Sequence, residues 1–291
     1  MMNQTTATTA TVNYATTEQT MALVNELKTM GYDAELHVCD KNGIEVNGIR
    51  IKKEDSCIAP VIYPLPDDTV ERILDIYNKN VTPEIDHIGR FFTEEYLDSH
   101  IMTGICKKGI NKLARTLTDY GYDDLEEYLF IVVEDSKSEF GSIRVDSNII
   151  ENYNLDIDRL WDMARRNTNE ATVITPMFDV MMSLGLSNIE MSEEEIDFLR
   201  NQNPMYVVTT HSKCKGASSI LSDKVKSFVE KSGKKWLWIP LSIHEVIMVP
   251  EGSMPEDGIT EMVQEVNATQ VSAYEQLSDH VYSYNSYHSE R

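Results

Sequence analysis

Basic residues are scarce in this chain: 26 lysines and arginines face 48 aspartates and glutamates, a formal charge of −22 over 291 residues. A field of that sign repels nucleic-acid phosphates and anionic membrane surfaces, and no Lys/Arg run is long enough to override it. Direct nucleic-acid binding is therefore not expected. Long apolar runs are missing too, so no segment of about 18 residues is fit to cross a bilayer. Met1-Met2-Asn3-Gln4 lacks the basic and apolar regions of a signal peptide, which points to the cytoplasm. Cysteine is sparse and scattered: Cys39, Cys57, Cys106 and Cys214 form no CxxC pair. That spacing suits neither a disulfide framework nor a zinc site, so no metal and no cofactor is expected. The chain has no GxGxxG, no GxxxxGK[ST] and no GxSxG, which leaves nucleotide binding and a nucleophile elbow without support.

What is present is a globular pattern. The hydrophobic fraction is 41%, and a chain of this length can bury roughly 75% of its unfolded surface. Residues 1–15 are Thr/Ala-rich without periodicity and are expected to be a disordered tail, as are 285–291. Residues 16–82 read as a small α–β-meander–α unit. Thr16 and Gln19 have capping-box spacing, and Leu23, Val24 and Leu27 form a helical stripe ending at Gly31. Ala34, Leu36 and Val38 alternate as a strand, and both Asn42-Gly43 and Asn47-Gly48 carry hairpin-turn signals. Val70, Ile73, Leu74 and Tyr77 mark the second helix.

Residues 83–284 read as the main α+β domain, with a mainly antiparallel sheet. Its densest β-type stretch is 235–250, where two apolar runs flank Pro240-Leu241-Ser242-Ile243. The spacing predicts a central hairpin with Leu237, Ile239, Ile247 and Val249 on one face. Met205–Thr210 and Ala217–Leu221 are expected as strands. Met177–Leu186 is expected as a buried helix, and Ser222–Lys231 as a further helix. The acidic run Asp123-Asp124-Leu125-Glu126-Glu127 reads as a helix start or a solvated face, and Ser192 with Glu195 as a capping box.

Candidate chemistry gathers near the hairpin. His244-Glu245 lacks the second histidine of HExxH, and in a strand the two side chains point to opposite faces. Ser242 and His244 have the residue types of a nucleophile and base, but in extended backbone their Cα atoms lie roughly 6.5–7 Å apart. Asp279 and His280 could join His244 if the C-terminal segment folds back, giving a composite site for proton transfer or metal. The plainer reading makes Ser242, Ser278 and Asp279 turn residues and the two histidines satisfied polar groups.

A resemblance adds to this. Lys41-Asn42-Gly43-Ile44 through Gly48-Ile49, then Ile58-Ala59-Pro60-Val61-Ile62-Tyr63, resemble the N-terminal signature of a bacterial domain-of-unknown-function family, DUF5688, of anaerobic gut bacteria. Ile239-Pro240-Leu241-Ser242-Ile243-His244-Glu245, the run 266–271 and Leu277-Ser278-Asp279-His280-Val281-Tyr282 are similar to it in order and spacing. The family has a second serine where this chain has Leu241, which weakens a catalytic hydroxyl pair. The resemblance implies a soluble bacterial protein and carries no activity and no residue roles.

With no catalytic motif in hand, the leading expectation is a non-enzymatic binding or interaction protein, with a protein partner possible. The first alternative is a hydrolase-like or metal-assisted enzyme using Ser242, His244, Asp279 and His280. The second is an acidic nucleic-acid mimic acting on a host or defence protein.

Overall fold

The computed structural model describes residues 14–52, 61–80, 85–134, 140–183, 192–202, 204–253, 255–269 and 271–284. Of the expected tails at 1–15 and 285–291, residues 1–13 and 285–291 lie outside these. The chain divides into two compact units, 1–93 with Ser272–Tyr274, and 94–271 with 275–291.

The first unit runs α1 (Thr17–Thr29), β1 (Asp33–Lys41), β2 (Ile44–Lys52), β3 (Val61–Ile62) and α2 (Val70–Asn80), followed by a 3-10 helix at Ile85–Phe92. Packing begins before the expected boundary at 16, because Ala15 is buried and its N–H donates to Pro64 O at 2.8 Å. The Thr16/Gln19 capping box is formed in both directions. Asn42 (φ 53°) and Gly43 (φ 82°) make the β1–β2 turn. Asn47-Gly48 does not turn. It lies inside β2, where a Cβ on Gly48 would collide with Val61. Its glycine serves close strand approach instead. Val24, Leu27, Ile49, Ile51, Ile73 and Tyr77 form the core, while Val38 at the hairpin end is 48% exposed.

The second unit opens with α3 (Glu94–His100), β4 (Ile101–Lys107), β5 (Arg115–Leu117), β6 (Tyr122–Glu134), β7 (Phe140–Arg144) and α4 (Ser147–Tyr153). It continues with α5 (Ile157–Ala171), β8 (Thr172–Pro176), α6 (Met177–Ser183), α7 (Glu193–Gln202) and β9 (Tyr206–Thr210). A 3-10 helix at Gly216–Leu221 precedes α8 (Asp223–Ser232), β10 (Trp236–Ile239), β11 (Val246–Pro250), α9 (Glu256–Thr269) and β12 (Tyr282–Ser283). One sheet has β6 paired with β4, β5 and β7, and the other has the order β12-β10-β11-β9-β8. Every pairing is antiparallel, so the architecture is α+β.

The β10–β11 hairpin has the register Leu237↔Val249 and Ile239↔Ile247, and every residue of both strands is buried. The pleat sends Leu237, Ile239, Ile247 and Val249 toward Ile259 and Val263 of α9. It sends Trp236, Trp238, Val246 and Met248 into a second cluster with Ile105, Leu117, Tyr122 and Leu125 of the other sheet. The hairpin is therefore the middle layer of this unit.

Three further expectations need correction, and one strand was not foreseen. Residues 216–221 are 3-10 helix, not strand: Lys215 turns the chain in the left-handed region (φ 50°), and Gly216 sits where a Cβ would meet Thr210 N at 2.6 Å and His244 O at 2.8 Å. Residues 172–176 form an edge strand that no periodicity announced. The helix at 177–183 is not buried, since Met181 is 48% exposed. Finally, the acidic run 123–127 lies on strand β6, with Glu126 and Glu127 buried.

Because Leu237 and Ile247 are enclosed, Leu237→Ala or Ile247→Ala should cost about 2–5 kcal/mol through the cavity left behind. Ser242→Ala, which loses one turn hydrogen bond, should cost no more than about 1 kcal/mol. Trp161, Trp236 and Trp238 all lie in the second unit, so tryptophan fluorescence against urea reads this ordering. Equal midpoint shifts for Ser242→Ala and Ile247→Ala would reject it.

Candidate functional site

Ser242 and His244 share one turn without forming a nucleophile–base pair. The Ser242 hydroxyl accepts the backbone N–H of His244 at 3.1 Å, which is a side-chain turn. The His244 ring accepts the Lys215 N–H at Nδ1 (3.1 Å), so its neutral form carries the proton on Nε2, 3.5 Å from Glu275 Oε1. Thr209 donates to the His244 carbonyl at 2.8 Å, and Ile243 N–H to Glu275 O at 2.8 Å. These bonds pin the 240–245 connection to the Lys215–Gly216 turn.

Asp279 and His280 belong to a different network. Asp279 Oδ1 accepts from Asn267 Nδ2 at 2.8 Å. His280 Nδ1 lies 2.9 Å from Ser278 Oγ, and its Nε2 lies 3.7 Å from Asp124 Oδ2. Tyr282 donates to the same carboxylate at 2.8 Å. Burial raises the Tyr282 pKa above its ordinary value, which keeps the phenol a donor. Ser278, His280 and Asp124 thus form a serine–histidine–carboxylate string. The serine is nevertheless committed to a turn, because it also accepts the His280 N–H at 3.3 Å. Among the described residues no hydrogen bond or ion pair joins His244 to Asp279 or His280. No group of three or more His, Cys, Asp or Glu among them could hold a metal.

The strongest constellation lies elsewhere, at a cleft of about 220 Å³ where β4, β6, α5 and the start of α8 meet. Glu127, carried on β6, has a side chain only 2% exposed. Its Oε2 accepts from Arg165 of α5 at 2.7 Å, whereas Oε1 has no partner among the described residues. Burial alone would lower the Arg165 pKa, but the charge of Glu127 and its hydrogen bond outweigh that and raise it. Thr168 and Ser218, both buried, also line the cleft. Thr168 Oγ1 accepts the Thr103 N–H at 3.0 Å, and Ser218 donates to Thr103 O at 2.5 Å. Burial raises the Tyr120 hydroxyl pKa, so this cleft residue stays neutral. A carboxylate with one open oxygen, an arginine beside it and buried hydroxyls line this one cavity, and an ionised carboxylate oxygen is a hydrogen-bond acceptor.

The sequence matches the family described as a family of unknown function, DUF5688, over residues 17–286. The chain belongs to that family. No curated protein and no solved structure matches it. The DUF5688 match spans both the histidine turns and the Glu127 cleft, so membership does not choose between them and the geometry must.

None of the cleft residues was a candidate site residue in the sequence, and Glu127 figured there only as part of the acidic run 123–127. The one signal was Glu126-Glu127 preceding Tyr128-Leu129-Phe130-Ile131, acids continuous with a run of strand formers rather than of helix formers. In such a strand an acid is as enclosed as its apolar neighbours.

Cys106 is a buried free thiol. Burial pushes Cys106 up to about 12 from an ordinary 9.0. The folded form holds that proton more tightly than the unfolded form. Its stabilisation is therefore complete below pH 9.0 and is lost as pH rises toward about 12. Cys106→Ala should flatten the alkaline limb of a stability–pH curve followed by urea midpoint, and an unchanged limb would reject the assignment.

Proposed function

We propose that this protein is a binding module whose second unit takes a small, hydrogen-bond-donating polar ligand in the Glu127–Arg165 cleft. One observation carries this reading: a carboxylate buried to 2% exposure that leaves an oxygen unpartnered where it lines a cavity. Taking a carboxylate out of water costs on the order of several kcal/mol even with a partner. An arginine alone does not satisfy both oxygens, and a ligand hydroxyl or amine completes the set. The histidine turns supply no comparable opening, since their ring nitrogens are engaged within their own networks.

The mimic reading is weaker on the same grounds. In the 123–127 run Glu126 accepts the Gly109 N–H at 2.9 Å and Glu127 faces Arg165, so these acids turn inward. Cys39, Cys106 and Cys214 are free thiols, which supports a reducing bacterial cytoplasm as the working compartment.

Saturation-transfer NMR with glycerol, ribose and sorbitol against the full chain tests the cleft. At least one polyol should receive saturation from the wild type, with the affinity lowered about tenfold in Glu127→Gln, the equivalent of losing one hydrogen bond to a charged group. Ser218→Ala, a milder change in the same cleft, should weaken it as well, and His244→Ala should not. Transfer that ignores Glu127→Gln and Ser218→Ala but vanishes in His244→Ala would move the site to the histidine turn and revive the enzyme reading.

A further inference from the structure

The Glu127 cleft does not end at its own walls. A second groove, of about 410 Å³, shares Asn169 and Asp223 with it and continues along α8 past Lys224, Phe228 and Lys231. The two are thus neighbouring compartments with opposite chemistry. At the inner end sits the open Glu127 oxygen. Along the outer groove are two lysines separated by about two helical turns.

The lysines belong to an unusual stretch of this acidic chain. Residues 211–235 hold seven lysines against two acids, in a protein with a formal charge of −22. Lys224 is fixed at the junction, because its ammonium donates to Glu170 O at 2.7 Å and Thr172 O at 3.1 Å. Its backbone N–H donates to Asn169 Oδ1 at 3.1 Å, tying the start of α8 to the wall that both compartments share. Lys231 is exposed and has no ion pair among the described residues. Asp223 stands between the two compartments in the first turn of α8, where the helix N-terminus offsets its charge.

We propose that the ligand is a hydroxylated compound with an anionic group at its far end, a phosphate ester or carboxylate. Its hydroxyls donate to Glu127 in the cleft while the anion lies along α8 against Lys224 and Lys231. This rests on the cleft reading and adds the second half of the ligand. A free anion does not suit the inner end, where Arg165 is already neutralised by Glu127 and the further charge of Asp223 repels it, whereas along the outer groove two lysines face that one aspartate. A cationic tail does not suit the outer groove, where the lysines do.

Isothermal titration of the full chain with ribose, ribose 5-phosphate and inorganic phosphate separates the possibilities. Ribose 5-phosphate should bind about tenfold more tightly than either ribose or inorganic phosphate, the worth of one charge-assisted contact. Added salt should shrink that advantage, and Lys231→Glu, at an exposed position that leaves folding intact, should abolish it while sparing ribose. Glu127→Gln should weaken ribose and its phosphate alike. Equal affinity for ribose and its phosphate, with both still sensitive to Glu127→Gln, overturns the anionic end and leaves the cleft standing. Phosphate-ester binding that responds to Lys231→Glu but ignores Glu127→Gln overturns the cleft reading itself. Inorganic phosphate binding as tightly as the ester reduces the groove to a simple anion site and overturns the proposal, as does the absence of binding by both sugars.

Discussion

Enclosure of the β10–β11 hairpin on both faces is the constraint around which the second unit is built. A strand pair with water on one side needs only one apolar face. This pair has two, because Trp236, Trp238, Val246 and Met248 point one way and Leu237, Ile239, Ile247 and Val249 the other. Each set has to be covered, so α9 closes one side and the β4–β7 sheet contributes to the core on the other. Tyr122, Trp238 and Tyr282 interlock there, with Trp238 and Tyr282 stacked at 4.5 Å. The apolar surface removed from water in this layer is the main driving force for the unit.

That layering explains why a carboxylate ends up inside. Strand β6 is thirteen residues long and pairs on both edges, so its length is shared between core and polar boundary. Leu125 packs in the core, while Glu127, two residues on and on the same face, reaches the edge of that core, where α5 brings Arg165. The cleft lies where the apolar packing gives way to the hydroxyls of Thr103, Thr168 and Ser218. Such a boundary is where a polar ligand can be enclosed without breaking the core, because the groups that meet it are already desolvated and aimed.

Much of the fold was legible in the chain because it depends on local rules. The caps at Thr16 and Ser192, the turn at Asn42-Gly43, and the alternation through Trp236–Ile239 and Val246–Pro250 all stand where spacing puts them. The misreadings share one cause, that tertiary context overrode a local signal. Asn47-Gly48 carries a turn signature, yet its glycine is used for close approach to Val61. Ala217–Leu221 is short, with Ala217, Ile220 and Leu221 around two serines, a pattern that cannot separate a strand from a buried 3-10 turn. The candidate site was scarcely legible at all. Ser242, His244, Asp279 and His280 drew notice by residue type, but their hydrogen bonds are local and turn-forming.

The sequence by itself determined the α+β class, the position of the central hairpin and the family to which the chain belongs, because periodicity, caps and word order are written locally. Only the tertiary structure decided where the polar opening lies. Glu127 and Arg165 are 38 residues apart, and Ser218 donates to a carbonyl 115 residues away. Whether a glutamate is a solvated charge or a buried one lining a cleft depends on what packs over it. That is a property of neighbours brought together by folding, and no spacing in the chain encodes it.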